Sequence, residues 1–162
     1  MAIVSKSRKN RRIENKNNTV KISQAPIIVS QEYQATPLEV WNAITRPQQM
    51  RKWYFEQIID FKAQVGFKTQ FTIQHNNRTF THQWEITEVI LQKKLSYSWQ
   101  YKEYPGLARV DFELLPAENG VTLTLTNTVT EDFPDNIPEF TRESCLGGWQ
   151  YFIQQQLKNY LE

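Results

Sequence analysis

Cysteine occurs once in these 162 residues, at Cys145, and histidine twice, at His75 and His82. A single thiol excludes an internal disulfide, and no Cys/His spacing matches a zinc site, so neither a metal nor a cofactor is expected. Glycine is also scarce, at five residues. There is no glycine-rich phosphate loop, no HExxH and no Ser-His-Asp order. No apolar run approaches the roughly 20 residues needed to cross a bilayer, so no transmembrane segment is expected. The basic start is not followed by the apolar core of a secretory leader. These absences point to a cytoplasmic protein in a reducing compartment.

What the chain does hold is aromatic surface: five Trp, seven Tyr and nine Phe, 13% of the residues. Large rings bury much area each, which suits a core or a cavity built from few side chains. A chain of this length forms one domain by default and can bury a real core.

Charge divides the chain. Residues 1–25 carry seven basic side chains (Lys6, Arg8, Lys9, Arg11, Arg12, Lys16, Lys21) against Glu14 alone. Removing these from the 19 basic and 17 acidic residues leaves 12 basic and 16 acidic in 26–162. Residues 1–25 have no aromatics and no helical or strand period, so they read as a basic, flexible N-terminal tail preceding a domain over 26–162. Such a tail can attract phosphates, but a solvated charge run is the commoner meaning, and nucleic acid is not an expected partner.

The domain begins with strand composition from Ile27 to Gln34. Thr36 then has the signature of a helix N-cap, with Pro37 at the first helical position and Glu39 completing a capping box. Pro47 opens a second short helix carrying Met50, Trp53 and Tyr54. Alternating segments follow. Thr69, Phe71, Ile73 and His75 share one face; Asn76-Asn77 suits a two-residue hairpin; Phe80, His82, Trp84 and Ile86 return on the same side. Leu95, Tyr97, Trp99 and Tyr101 form the next inward face. Pro105-Gly106 is expected to turn the chain, after which Val110, Phe112 and Leu114 point inward. A turn from Pro116 to Gly120 leads to Val121, Leu123 and Leu125. One apolar and one wet face per strand describe an antiparallel meander covered on one side. Glu85, Asp111 and Glu113 fall on the wet face.

The cover is a long helix expected over Pro138 to Leu161, with Cys145, Trp149, Phe152, Ile153, Leu157, Tyr160 and Leu161 on one stripe. Gly147-Gly148 within it costs about 1 kcal/mol per glycine relative to alanine, which suggests room made for a close neighbour. The fold class is α+β: a curved antiparallel sheet, two short helices near the N-terminus and a long C-terminal helix gripped by the sheet.

Several segments, in order, resemble one known family. They are Pro37-Leu38-Glu39-Val40-Trp41-Asn42-Ala43 with Thr45-Arg46-Pro47, then Trp53-Tyr54-Phe55, Val65-Gly66-Phe67, Leu95-Ser96-Tyr97-Ser98-Trp99, Val121-Thr122-Leu123-Thr124-Leu125 and Gly148-Trp149. Over residues 26–162 the chain resembles the AHSA-type domains, homologues of the activator of the heat-shock-protein-90 ATPase, in the START/SRPBCC helix-grip superfamily. The resemblance implies the helix-grip (START/Bet v-like) fold and an apolar, ligand-sized cavity. It does not imply one activity, since members include a co-chaperone domain and many single-domain proteins. The basic tail lies outside the pattern.

Three functions are therefore carried forward. The first is a binding module for a small apolar, lipid-like or aromatic ligand, lined by Trp53, Phe71, His82, Trp84, Tyr97, Trp99, Phe112, Trp149 and Phe152. The same side chains would also make a filled core. The second is a co-chaperone or stress-response interaction domain that contacts a chaperone. The third is a cyclase- or hydrolase-like enzyme using His82 as general base, with Asn127 and Tyr101 also projecting inward. The hairpin register sets His75 opposite Arg78 and His82 opposite Phe71, so the two histidines are not cross-strand partners. The weight of these residues is against an enzyme. Oligomeric state is left open.

Overall fold

The computed structural model describes Thr19, Lys21 and residues 23–162. The chain runs β1 (Ile27–Tyr33), α1 (Pro37–Thr45), α2 (Pro47–Trp53), β2 (Lys68–His75), β3 (Arg78–Ile90), β4 (Lys94–Tyr101), β5 (Tyr104–Ala117) and β6 (Gly120–Glu131). A single 3₁₀ turn, Pro138–Phe140, then leads into the C-terminal helix. That helix is α3 (Arg142–Gln150), a π-helical turn (Tyr151–Gln156) and α4 (Leu157–Leu161).

Local chemistry sets the first elements. The Thr36 side chain accepts from the Glu39 N–H at 3.2 Å, and the Glu39 carboxylate accepts from the Thr36 N–H at 2.7 Å. Two orphan donors at the start of α1 are thereby satisfied. Arg46 ends α1 and begins α2, and Pro47 at the first helical position of α2 makes the bend. At the β2–β3 turn Asn76 and Asn77 both take positive φ, 48° and 61°, as a type I′ hairpin requires.

The sheet has six antiparallel strands in the order β1-β6-β5-β4-β3-β2. Strands β2 to β6 form the meander, and β1 pairs with the far side of β6. The helical pair therefore carries the chain from one edge of the sheet to the other. Phe71 stands opposite His82 and His75 opposite Arg78, which is the register that the Asn-Asn turn dictates. With period two, that register puts Phe71, Phe80, His82, Trp84, Tyr97, Trp99, Phe112 and Leu125 on the inner face, all buried.

Three local features differ from the sequence expectation. The β4–β5 turn is Lys102-Glu103, with Tyr101 paired to Tyr104, so Pro105-Gly106 lies inside β5. Gly106 takes φ +119° there, and the Phe133 ring comes within 2.4 Å of where a Cβ would stand. The C-terminal helix starts at Arg142 rather than Pro138, because Thr141 is its N-cap and accepts from the Ser144 N–H. Gly147 makes room for nothing: a Cβ added there meets no atom within 4 Å, whereas Gly148 is buried.

Most of the segment 1–25 lies outside the described residues. Of those described, Thr19 is buried and bridges Thr141, and Lys21 pairs with Asp135 at 3.3 Å. Just after them, Arg142 donates to the carbonyls of Ala25 and Pro26.

Candidate functional site

The space between sheet and helix is filled ring against ring. Residues of β2, β3, β4 and β5 supply the floor, and Trp149 and Phe152 descend from the C-terminal helix. Tyr54 and Phe55, just beyond α2, enter from the side. Phe55 is central: its ring centroid lies 5.0 to 6.2 Å from those of Phe71, His82, Trp84, Trp99 and Phe152. Such tilted and edge-on separations are the favoured geometry of aromatic pairs.

All nine side chains nominated from the sequence are buried. Eight of them gather around Tyr54 and Phe55 in this cluster. Trp53 sits at its margin, stacked on Tyr54 at 4.7 Å, and its indole N–H is engaged by the Ala43 carbonyl at 2.8 Å. Trp53 thus fastens α2 to α1. The sequence places Tyr54 on the second short helix and Phe55 in a family motif, but neither among the residues expected to line the site. Three aromatics in a row at the end of a helix were the available signal, since a helix end can turn only some of them inward.

Polar atoms are unusually placed inside this cluster. Tyr54 and Tyr97 share a hydrogen bond between their hydroxyls at 3.1 Å, and burial raises both phenols well above their ordinary range. His82 is fully buried, and desolvation holds its imidazole neutral by lowering its pKa well below the usual value. Its Nδ1 lies 3.1 Å from the Phe80 carbonyl. Its Nε2 has no hydrogen-bond partner, and neither do the indole nitrogens of Trp84 and Trp149.

A second polar group lies at one end of the grip. Glu139, on the 3₁₀ turn, is 3% exposed, and its Oε1 accepts from Arg78 Nη1 at 2.9 Å and lies 3.1 Å from His75 Nδ1. The β2–β3 hairpin is thereby tied to the start of the C-terminal helix. The Cys145 thiol donates to the Glu139 carbonyl at 3.8 Å, and burial pushes the thiol pKa up to about 12. On the outer face Asp111 is 5% exposed, unlike Glu85 and Glu113. It accepts from Ser96 Oγ at 2.5 Å and from Arg109 Nε at 3.1 Å, a local network that removes it from water. Among the described residues no group of three or more His, Cys, Asp or Glu side chains is arranged to hold a metal. No helix among them is long and apolar enough to cross a membrane.

Among the described residues, recesses open on the outside. One, of about 560 Å³, runs over Gln70, Gln83 and Gln100 on the outer face. Another, of about 880 Å³, lies where Pro37, the Leu91–Lys94 turn and Leu114–Pro116 meet.

Comparison with known proteins agrees with this architecture. A solved protein of Chromobacterium violaceum shares 21% identity at a TM-score of 0.69, with 85% of this chain and 96% of that one covered. The Aha1 dimer of Colwellia psychrerythraea shares 20% at 0.63, covering 86% and 97%. DynU16, a protein of the dynemicin biosynthetic locus, shares 20% at 0.67, covering 85% of this chain and 47% of that one. No curated protein matches the chain significantly. The family described as activator of Hsp90 ATPase homolog 1-like protein matches residues 34–162, and the chain belongs to it.

Proposed function

We propose that this protein is a binding module for a small apolar ligand, aromatic or lipid-like, taken up between the sheet and the C-terminal helix. One observation carries the reading: His82 Nε2 and the Trp84 and Trp149 indoles are buried within the ring cluster without hydrogen-bond partners. Each such group costs about 1 to 3 kcal/mol relative to a satisfied one. A core serving stability alone is better served by Phe or Leu at those positions. A ligand with polar atoms opposite them recovers that cost.

In this reading Phe71, His82, Trp84, Tyr97, Trp99, Phe112, Trp149 and Phe152 line the site, and Trp53 supports its wall. The rings part to admit the ligand. Tyr54 and Phe55 are the natural ones to move, because they lie beyond the end of α2 and make no ladder hydrogen bonds of the sheet. The test is mass spectrometry of an organic extract of the purified protein, followed by a calorimetric screen of lipids and aromatic compounds. An empty extract together with a silent screen would sink the reading.

A second reading, contact with a chaperone, is favoured by a different observation. Leu38, Leu91 and Leu115 are 50%, 70% and 67% exposed, and the latter two border the 880 Å³ recess. Exposed apolar side chains grouped beside a recess suit a protein partner. The description of the family, activator of Hsp90 ATPase homolog 1-like protein, points the same way. Titration into a heat-shock ATPase assay decides it: unchanged turnover and no binding remove the reading.

A further inference from the structure

We infer that His82 Nε2 is the polar anchor of the interior, and that it takes an uncharged phenolic ligand whose hydroxyl donates to that nitrogen. This deepens the ligand-binding reading and rests on it. The argument begins at the other ring nitrogen. His82 Nδ1 lies 3.1 Å from the Phe80 carbonyl oxygen, which can only accept. The proton is therefore on Nδ1, and in a neutral imidazole Nε2 is left with a lone pair. That atom is buried and has no partner.

The ring cannot easily exchange its two nitrogens. Phe71 stacks on it at 4.7 Å with 10° between the planes, and Tyr101 and Trp99 stand edge-on at 4.8 and 5.4 Å. What the site lacks is a donor, and the surrounding rings favour a planar one. Phe55 marks where the ligand's ring would lie, since it alone of the loop beyond α2 touches both His82 and Trp84. A hydroxyl on that ring, turned toward His82, can give its proton to Nε2. A phenolate or carboxylate would find no compensating charge, because no Lys or Arg is among the buried residues described.

The experiment uses the full chain and three probes by calorimetry: 2-naphthol, 2-methoxynaphthalene and naphthalene. The naphthol is expected to bind about tenfold tighter than its methyl ether, the worth of one buried hydrogen bond. In His82→Phe that preference should vanish while naphthalene still binds. Equal affinity of wild-type protein for the naphthol and the ether overturns the proposal and leaves the broader reading standing. No binding of any probe overturns the proposal too, and the broader reading falls with it only if the organic extract and the lipid screen are also empty. Long-range ¹H–¹⁵N spectra of the wild-type protein give an independent check. They should show the proton on Nδ1 and a shift of Nε2 on adding 2-naphthol; a proton on Nε2 overturns the proposal whether or not His82→Phe folds.

Discussion

The Tyr33 hydroxyl donates to the Ile153 carbonyl at 2.6 Å, joining β1 to the π-helical turn across 120 residues of sequence. The wide turn, in which the Leu157 N–H reaches back five residues to the Phe152 carbonyl, disturbs the regular pairing of the helix. Tyr33 is wholly buried, so its hydroxyl needs that acceptor, and burial raises its pKa far above the ordinary range. Tyr33→Phe should cost about 1 to 2 kcal/mol, read from the urea midpoint at an unchanged slope. No change in the midpoint would show that the bond contributes nothing net.

Glu139 holds the β2–β3 hairpin against the C-terminal helix through Arg78 and His75. Its side chain is 4% exposed and that of Arg78 is 32%. Arg78→Ala leaves the buried carboxylate with His75 alone, and partial exposure of the lost partner limits the penalty to about 1 to 3 kcal/mol. The double mutant with Glu139→Gln should be closer to wild type than the sum of the singles. Strict additivity would rule out the coupling.

Two glycines should respond in opposite directions. Gly147 lies in an exposed helical position with open space around it, so Gly147→Ala should stabilise by about 0.5 to 1 kcal/mol. A Cβ on Gly120 would stand 1.9 Å from the Tyr33 carbonyl oxygen, which is backbone and cannot yield cheaply. Gly120→Ala should therefore destabilise by more than about 2 kcal/mol, since it forces the β5–β6 turn away from β1. Thermal melts of the pair test both signs.

Hydrogen bonding from the Thr36 backbone and side chain holds the Glu39 carboxyl below its usual value. A lowered folded value stabilises the folded state fully above the unfolded value near 4.3, and the contribution is lost as pH falls through the folded one. The stability gap between wild type and Glu39→Gln should thus be present at neutral pH and close in acid. A gap independent of pH would mean that the cap owes nothing to charge.

The Cys145 thiol, raised to about 12 by burial, should resist a thiol reagent at pH 8 in the native protein. Full labelling is expected on unfolding. Rapid native labelling would show that the helix opens at that point.

Much of the fold was legible because it is governed by neighbours in sequence. The Thr36–Glu39 box, the turn at Asn76-Asn77 and the period-two faces each depend on a few consecutive residues. From that turn alone the pairing of Phe71 with His82 followed. Pro105-Gly106 looks like a turn, yet the β4–β5 turn lies three residues earlier, at Lys102-Glu103. Gly106 is instead needed for its positive φ and for the Phe133 ring lying against it. Asp111 was assigned to water by parity, but parity does not see Ser96 and Arg109 beside it.

Within the candidate site, alternation along each strand and the stripe on the last helix settle locally which side chains face inward. How they meet depends on the closed fold. Phe55 fills the middle, Trp53 spends its indole on Ala43, and His82 turns one nitrogen to Phe80 and leaves the other without a partner. The physical reason is distance along the chain. Faces are set by periodicity over a few residues, whereas partners such as Tyr33 and Ile153, or Arg78 and Glu139, are brought together only when the sheet closes on the helix.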